Sequence, residues 1–205
     1  MIRCNVNVVG TVSRPVEIKT VKGGNSFFTF AMSVYMKDRQ VSKKIDISVA
    51  SNGDDDVILD LSTGDRVEVI GIMTFKRLGD KTYLNLSAEK IRNKTNENDS
   101  VKGKMQFRGT VGSKGVIEHE GKNGGFRTFD AFSSERIDKL HYSYIWVRFL
   151  DFMEECPDWL GPRVGINVEG KLELQIYNDS ISINCRTESI SRWLKESVDN
   201  DSHGI

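Results

Sequence analysis

From Asn5 to Met36 apolar and polar positions alternate with a period of two, the pattern of extended backbone whose successive side chains point to opposite faces. Val6, Val8 and Gly10 fall on one side of the first strand and Asn5, Asn7 and Val9 on the other. A turn at Gly23–Asn25 precedes a returning strand, in which Phe28, Phe30, Met32, Val34 and Met36 alternate with Phe27, Thr29, Ala31, Ser33 and Tyr35. The first of these sets is apolar enough for a core. The second carries Thr, Ser and two aromatics, and suits a wet or ligand-bearing face. Lys44–Ala50 predicts a third strand, with Ile45, Ile47 and Val49 in alternation. Asn52-Gly53-Asp54 reads as a turn that offers Asp54 as a helix cap, and Val57, Ile58 and Leu61 predict a short helix closed by Gly64. Val67–Arg77, a turn at Leu78-Gly79-Asp80 and a fifth strand over Lys81–Ile91 complete the order β-β-β-α-β-β.

The same unit then starts again. An offset of 99 pairs Gly10-Thr11-Val12 with Gly109-Thr110-Val111, Phe27 with Phe126, and Thr29-Phe30 with Thr128-Phe129. It goes on to pair Gly71 with Gly170, Asn85 with Asn184, Glu89 with Glu188 and Ile91 with Ile190. One offset held without a gap predicts a duplicated domain rather than a solenoid array. In the second copy the strands fall at Met105–His119, Phe126–Ser133, Tyr142–Phe149, Val164–Ile176 and Ser180–Glu188, with a short helix around Asp151–Leu160. Five strands with a helix between the third and fourth is the plan of the OB-fold, a small Greek-key barrel. The expected fold class is therefore all-β with short helices: two tandem OB-fold five-stranded Greek-key barrels. The first covers 1–92, a polar linker 93–104, the second 105–190, and a short C-terminal helix with a loose tail 191–205.

Composition changes this picture little. At 205 residues, 38% hydrophobic and 28% charged, the chain is long enough for two small domains of ordinary globular type. No apolar run approaches the ~20 residues of a membrane span, and the start, MIRCNVNVVG, lacks a signal-peptide core. The expectation is a cytoplasmic protein without a membrane partner. Cys4, Cys156 and Cys185 are odd in number and widely spaced, which predicts reduced, structural thiols. Lys plus Arg and Asp plus Glu both number 29, so the whole chain has no net footprint for nucleic acid. The distribution is less even. Residues 1–48 carry eight Lys or Arg against three acids, while acids gather at Asp54-Asp55-Asp56 and around Asp151–Asp158.

His119, His141 and His203 are isolated from Cys and carboxylates at metal-ligand spacing, and neither a phosphate-binding loop nor a nucleophile elbow occurs. The expectation is a binding protein with no catalytic residue, no metal and no cofactor.

The first copy resembles the bacterial single-stranded DNA-binding proteins. The resemblance rests on Asn5–Val12 with Pro15 nearby, the Gly23-Gly24 turn, Phe28–Met32, and a short helix running into Gly64–Gly71; the second copy carries a weaker version. It implies sequence-tolerant binding of single-stranded DNA, by stacking of bases on aromatic rings and tracking of phosphates by Lys and Arg. In the first copy the candidate rings are Phe27, Tyr35, Phe75 and Tyr83, and the candidate cations Lys19, Lys22, Lys37, Arg39, Lys43, Lys76 and Arg77. In the second they are Phe126, Phe132, Trp146, Phe149 and Tyr177, with Arg127. The resemblance also implies work in replication, recombination or repair beside other proteins of those processes. It further implies a homodimer presenting four barrels, with a two-barrel monomer as the alternative. The C-terminal residues Glu196–Ile205 lack the run of acids by which such proteins recruit partners. A tandem OB-fold scaffold for other proteins is the competing reading, and single-stranded RNA the competing ligand.

Overall fold

The computed structural model describes residues 1–20, 26–38, 41–52, 56–93, 95–120, 124–136, 142–177 and 180–194; for Lys37, Asp38, Val41, Asp56, Val57 and Tyr177 it describes the backbone only. The turn at Gly23–Asn25, the Asp54 cap and residues 195–205 lie outside the described residues.

The first half runs β1 (Ile2–Thr20), β2 (Ser26–Asp38), β3 (Val41–Ser51), α1 (Asp56–Leu59), β4 (Arg66–Leu78) and β5 (Lys81–Asn93). The second runs β6 (Ser100–His119), β7 (Phe126–Arg136), β8 (Tyr142–Asp151), β9 (Gly165–Tyr177) and β10 (Ser180–Arg192). The sheet order is β2-β3-β5-β4-β1-β6-β7-β8-β10-β9, and the further pairings β1–β2 and β6–β9 close each half into a barrel. In each, the first strand turns the corner. The N-terminal part of β1 pairs with β4 and its C-terminal part with β2, with register shifts between Val12 and Arg14 and between Arg14 and Glu17. The third and fifth strands run parallel, β3 with β5 and β8 with β10. This is the OB-fold topology twice over.

Alternation puts most of the core where the sequence predicts it, but Val9, Ala31 and Ser33, assigned to the opposite face, are buried as well. Val6, Val8, Met32, Val34, Ile45, Ile47, Val49, Met73 and Leu86 are buried in the first barrel, and Ile58 of α1 and Leu61 just after it pack into the same cluster. Each such side chain contributes roughly 1.5–3 kcal/mol by leaving water. Gly71 sits at a register shift of β4 against β5, where a Cβ would stand 2.0 Å from the Ser87 carbonyl oxygen. Its repeat mate Gly170 meets the Arg186 carbonyl in the same way at 2.2 Å, so both barrels require glycine where these strands bend. Glu68 ties three strands together: its carboxylate accepts from Arg92 Nη1 at 2.7 Å and from Asn7 Nδ2 at 2.6 Å. Those two bonds, the arginine's first, hold its carboxyl below the usual carboxylate range. Burial pushes the Cys4 and Cys185 thiols up to about 12, so both stay protonated and inert.

The barrels meet along β1 and β6, which pair antiparallel from Ile2–Phe107 to Val9–Ser100. Asn5 lies opposite Lys104, its own counterpart under the 99-residue offset, so a pseudo-twofold axis passes through that pair. The exposed backbone edge of β1 is thereby covered by its own repeat.

Four expectations need correction. The polar segment predicted as linker over 93–104 is shorter: β5 reaches Asn93 and β6 begins at Ser100, because the open edge of β1 captures residues 100–104 as strand. No helix forms over Asp151–Leu160. Asp151 is pinned at the end of β8 by Arg127 and accepts from the Met153 amide, and Pro157 and Pro162 disfavour helical backbone around them. Ser191 and Arg192, predicted as the start of a terminal helix, continue β10 against β9 as far as the Arg192–Ile166 pair. The repeat is not gapless either. Phe30 faces Val49, whereas Phe129 faces Phe149, so the third strand of the second copy is shifted by one residue relative to the offset.

Candidate nucleic-acid interface

On β8 the one-residue alternation separates two roles. Ser143, Ile145, Val147 and Phe149 point inward and are buried. Tyr142, Tyr144 and Trp146 point outward and are 50%, 47% and 47% exposed. Successive rings of this row stand roughly 7 Å apart along the strand, twice the rise per residue. On the neighbouring strand β7, Phe132 lies opposite Trp146 and Ser134 opposite Tyr144. The Phe132 ring wedges between the two, with centroids 5.0 Å from Trp146 and 5.6 Å from Tyr144. The Trp146 ring also rests over Gly112 of β6, where an added Cβ would approach it to 3.1 Å. One side of the indole is therefore supported by the sheet while half the residue remains exposed.

The first half contributes to the same place. The β4–β5 turn leans on the start of β8, where Ser143 Oγ donates to the Arg77 carbonyl at 3.2 Å. Arg77 Nε donates to the Gly79 carbonyl at 3.1 Å, which orients the guanidinium along the turn. Arg77 and Gly79 then line a hollow of about 350 Å³ with Tyr142, Tyr144 and Trp146. Trp146 and Arg77, predicted from separate copies, come together here.

The outer face of the first barrel is built differently. A groove of about 530 Å³ crosses it, walled by small residues such as Thr29, Ala31, Ser48 and Ser87, with Arg3, Arg14 and Lys19 on its rim and Glu17 among them. Among the described residues the only aromatic lining it is Phe30, itself a core residue. An adjoining groove of about 500 Å³ carries Arg3 again, with Lys76 and Asn85. The first groove supplies charge and space but no exposed ring.

The remaining predicted residues fall as follows. Tyr35 is 56% exposed at the end of β2, where its backbone N–H donates to Asp99 Oδ2 at 2.6 Å. Asp99 is also paired with Arg66, which fastens residues 95–99 beside that ring. Tyr83 is 45% exposed and faces Lys76 across the β4–β5 ladder. Phe27 is half-buried opposite Lys19, and Lys43 half-buried opposite Met36. Phe126 is sandwiched between His119 at 4.6 Å and Phe152 at 5.5 Å, a ring column away from the β8 row. Lys22 and Arg39 lie outside the described residues, as do the side chains of Lys37 and Tyr177.

Three candidates are excluded by their surroundings. Phe75 is 5% exposed and faces the core beside Leu84. Phe149 is fully buried, stacked on Phe129 at 4.9 Å and edge-on to Phe107 at 4.9 Å. Arg127 is consumed by an internal ion pair, with Nε 3.0 Å from Asp151 Oδ2 and Nη2 on the Met153 carbonyl. Removing either partner of such a buried pair leaves an uncompensated charge, so its role is structural.

Sequence reasoning passed over Tyr142 and Tyr144, and over Arg3 and Arg14. The tyrosines were visible in the alternation with Trp146. The arginines were not, because only barrel closure brings them onto the groove rim. Among the described residues no group of three His, Cys, Asp or Glu could hold a metal ion, and no helix is long and apolar enough to cross a membrane.

No protein-family model matches the chain, and no curated protein matches it. Solved structures do. The chain is similar to bacterial single-stranded DNA-binding proteins. Against the wild-type single-stranded DNA-binding protein of Thermus aquaticus the similarity covers 95% of this chain and 94% of that one, at 11% identity and a TM-score of 0.49. A deletion mutant of the same protein is covered over 98% of both chains, at 13% identity and a TM-score of 0.48. The small single-stranded DNA-binding protein of Streptomyces coelicolor matches 48% of this chain over 96% of its own length, at 18% identity and a TM-score of 0.37.

Proposed function

We propose that this protein binds single-stranded DNA, with little regard to sequence, across the outer faces of its two barrels. The observation that carries the reading is the row Tyr142, Tyr144 and Trp146: three half-exposed rings at alternate positions on one strand, whose other face is core. Exposed apolar rings in a row cost solubility and contribute nothing to the core, but each offers a π face to an unpaired base. Stacking on such a ring contributes ~1–3 kcal/mol per base and tolerates any base. In duplex DNA those faces are already stacked, which gives the preference for single strands. Arg77 beside the row, and Arg3, Arg14 and Lys19 on the first barrel, supply phosphate contacts whose strength falls with salt. On this reading the chain divides into two barrel domains either side of residues 94–99, works in replication, recombination or repair, and assembles as a homodimer; sedimentation at micromolar concentration measures the last point.

The test is anisotropy of a labelled ~35-nucleotide dT strand titrated with protein at low and moderate salt, beside a duplex of equal length and an rU strand. Tight, salt-sensitive binding to the DNA strand with weak duplex binding is the expected result. Equal affinity for duplex, or no binding at low salt, overturns the reading.

A further inference from the structure

We propose that the groove beside Trp146 is a base-reading subsite, in which the side-chain amide of Asn184 donates a hydrogen bond to a carbonyl oxygen of the base stacked on Trp146. The inference rests on the single-strand reading above and adds a preference to it. Thymine, cytosine and guanine carry a ring carbonyl and adenine does not, so this position discriminates against adenine.

The groove has a volume of about 490 Å³ and is lined by Trp146, Arg148, Ser182 and Asn184, with Arg77 and Thr82 arriving from the first half. Asn184 is only 2% exposed although it lies on this wall, next to Arg148 in the parallel β8–β10 register. Its amide is half satisfied: Oδ1 accepts from Ser182 Oγ at 3.4 Å, while Nδ2 meets no acceptor among the described residues. Buried polar atoms without a partner are rare enough in folded proteins that each calls for a reason. With Oδ1 taken by the Ser182 hydroxyl, the atom left over is Nδ2, which can only donate. The missing partner is therefore an acceptor.

The acceptor chemistry follows from the charges around it. Arg148 is held by Asp130 through two bonds, 2.8 Å from Oδ1 and 3.1 Å from Oδ2, so the nearest guanidinium already has its counter-charge. Beside Asn184 a phosphate would meet a paired guanidinium and the Asp130 carboxylate, while Arg77, elsewhere on the lining, remains for the strand's backbone. A neutral carbonyl on a flat ring meets a matched donor and the Trp146 face instead. The repeat makes the point by contrast. Asn85, the counterpart of Asn184, lines the first barrel's groove but is exposed, and Asp46 faces the counterpart of Phe132 there, where the second copy has Trp146. Among the described residues, only the second barrel combines the platform with the orphaned donor.

The experiment measures anisotropy with dT and dA strands of ~35 nucleotides against the wild type, Asn184→Leu and Asn184→Asp. Self-stacking of dA weakens its binding to every protein alike, so it cancels when the dA-to-dT affinity ratio of a variant is divided by that of the wild type. Loss of one net hydrogen bond predicts that the wild-type preference for dT shrinks about 3- to 10-fold in both variants. The aspartate variant keeps the size of the side chain and removes the donor, which guards against a leucine variant that fails to fold. A ratio unchanged from the wild type in a folded variant overturns the subsite. A wild type that binds neither strand overturns the single-strand reading, and the subsite falls with it.

Discussion

The outer faces of the two barrels differ in chemistry, while their interiors keep one apolar frame filled with other side chains, Phe107 and Ala131 of the second standing for Val8 and Met32 of the first. Inside, the copies keep the same strand order, the same glycine at the bend of the fourth strand and the same alternation of apolar residues. Outside, the first copy has an exposed Asp46 over a buried Ser33 where the second has Phe132 and a half-exposed Trp146. Ser33 Oγ donates to Asp46 Oδ1 at 2.7 Å, whereas Phe132 packs against Trp146 with centroids 5.0 Å apart. One face is polar, small-featured and rimmed by arginine; the other is a ladder of rings. The β1–β6 seam keeps the two surfaces on one body, so that Arg77 of the first lies beside the rings of the second.

The largest expected effect lies on the side of β8 that this contrast treats as core. Phe149→Ala removes a ring stacked between strands and is expected to lower the unfolding free energy by ~3–5 kcal/mol, read from urea denaturation. Trp146→Ala, three positions away on the opposite face, is expected to leave that midpoint almost unmoved and to weaken binding of the dT strand by roughly 5- to 100-fold. If the two substitutions behaved alike, the assignment of inner and outer faces would be wrong.

That pair also shows how much could be read from the chain itself. Strand order, the repeat, both barrels and most of the core follow from period-two alternation, which depends only on local backbone geometry. The same rule, applied strictly to Tyr142–Phe149, separates Trp146 from Phe149, because residues three apart on a strand face opposite ways. Naming both as platforms overlooked this, and it hid Tyr142 and Tyr144. Other features had no local signal. The Arg127–Asp151 pair joins residues 24 apart, and Arg77 reaches the Trp146 groove only through the seam between copies. The missing second helix was half legible in Pro157 and Pro162, while the extension of β10 depended on an available partner strand.

The contrast can be sharpened by transplanting it. Asp46→Trp places the second copy's ring on the exposed side of the first barrel's third strand, and is expected to tighten dT-strand binding about fivefold through one added stacking site. The smallest effect expected belongs to the arginine-rimmed groove. Replacing Arg3, Arg14 and Lys19 one at a time by Ala is expected to weaken binding a few-fold at low salt. Each should also reduce the slope of log affinity against log salt by about 0.7 for every phosphate left without its cation, measured by titration at several salt concentrations. A salt slope unaffected by all three would remove the first barrel from the binding surface.

Everything proposed for the second barrel depends on a base stacking on Trp146. Replacing Trp159 and Trp193 by Phe leaves Trp146 as the only tryptophan, so its fluorescence reports directly on what approaches the ring. Stacking on the indole predicts strong quenching of that emission as the dT strand is added, saturating in step with the anisotropy. Binding seen by anisotropy with the emission unchanged would contradict it.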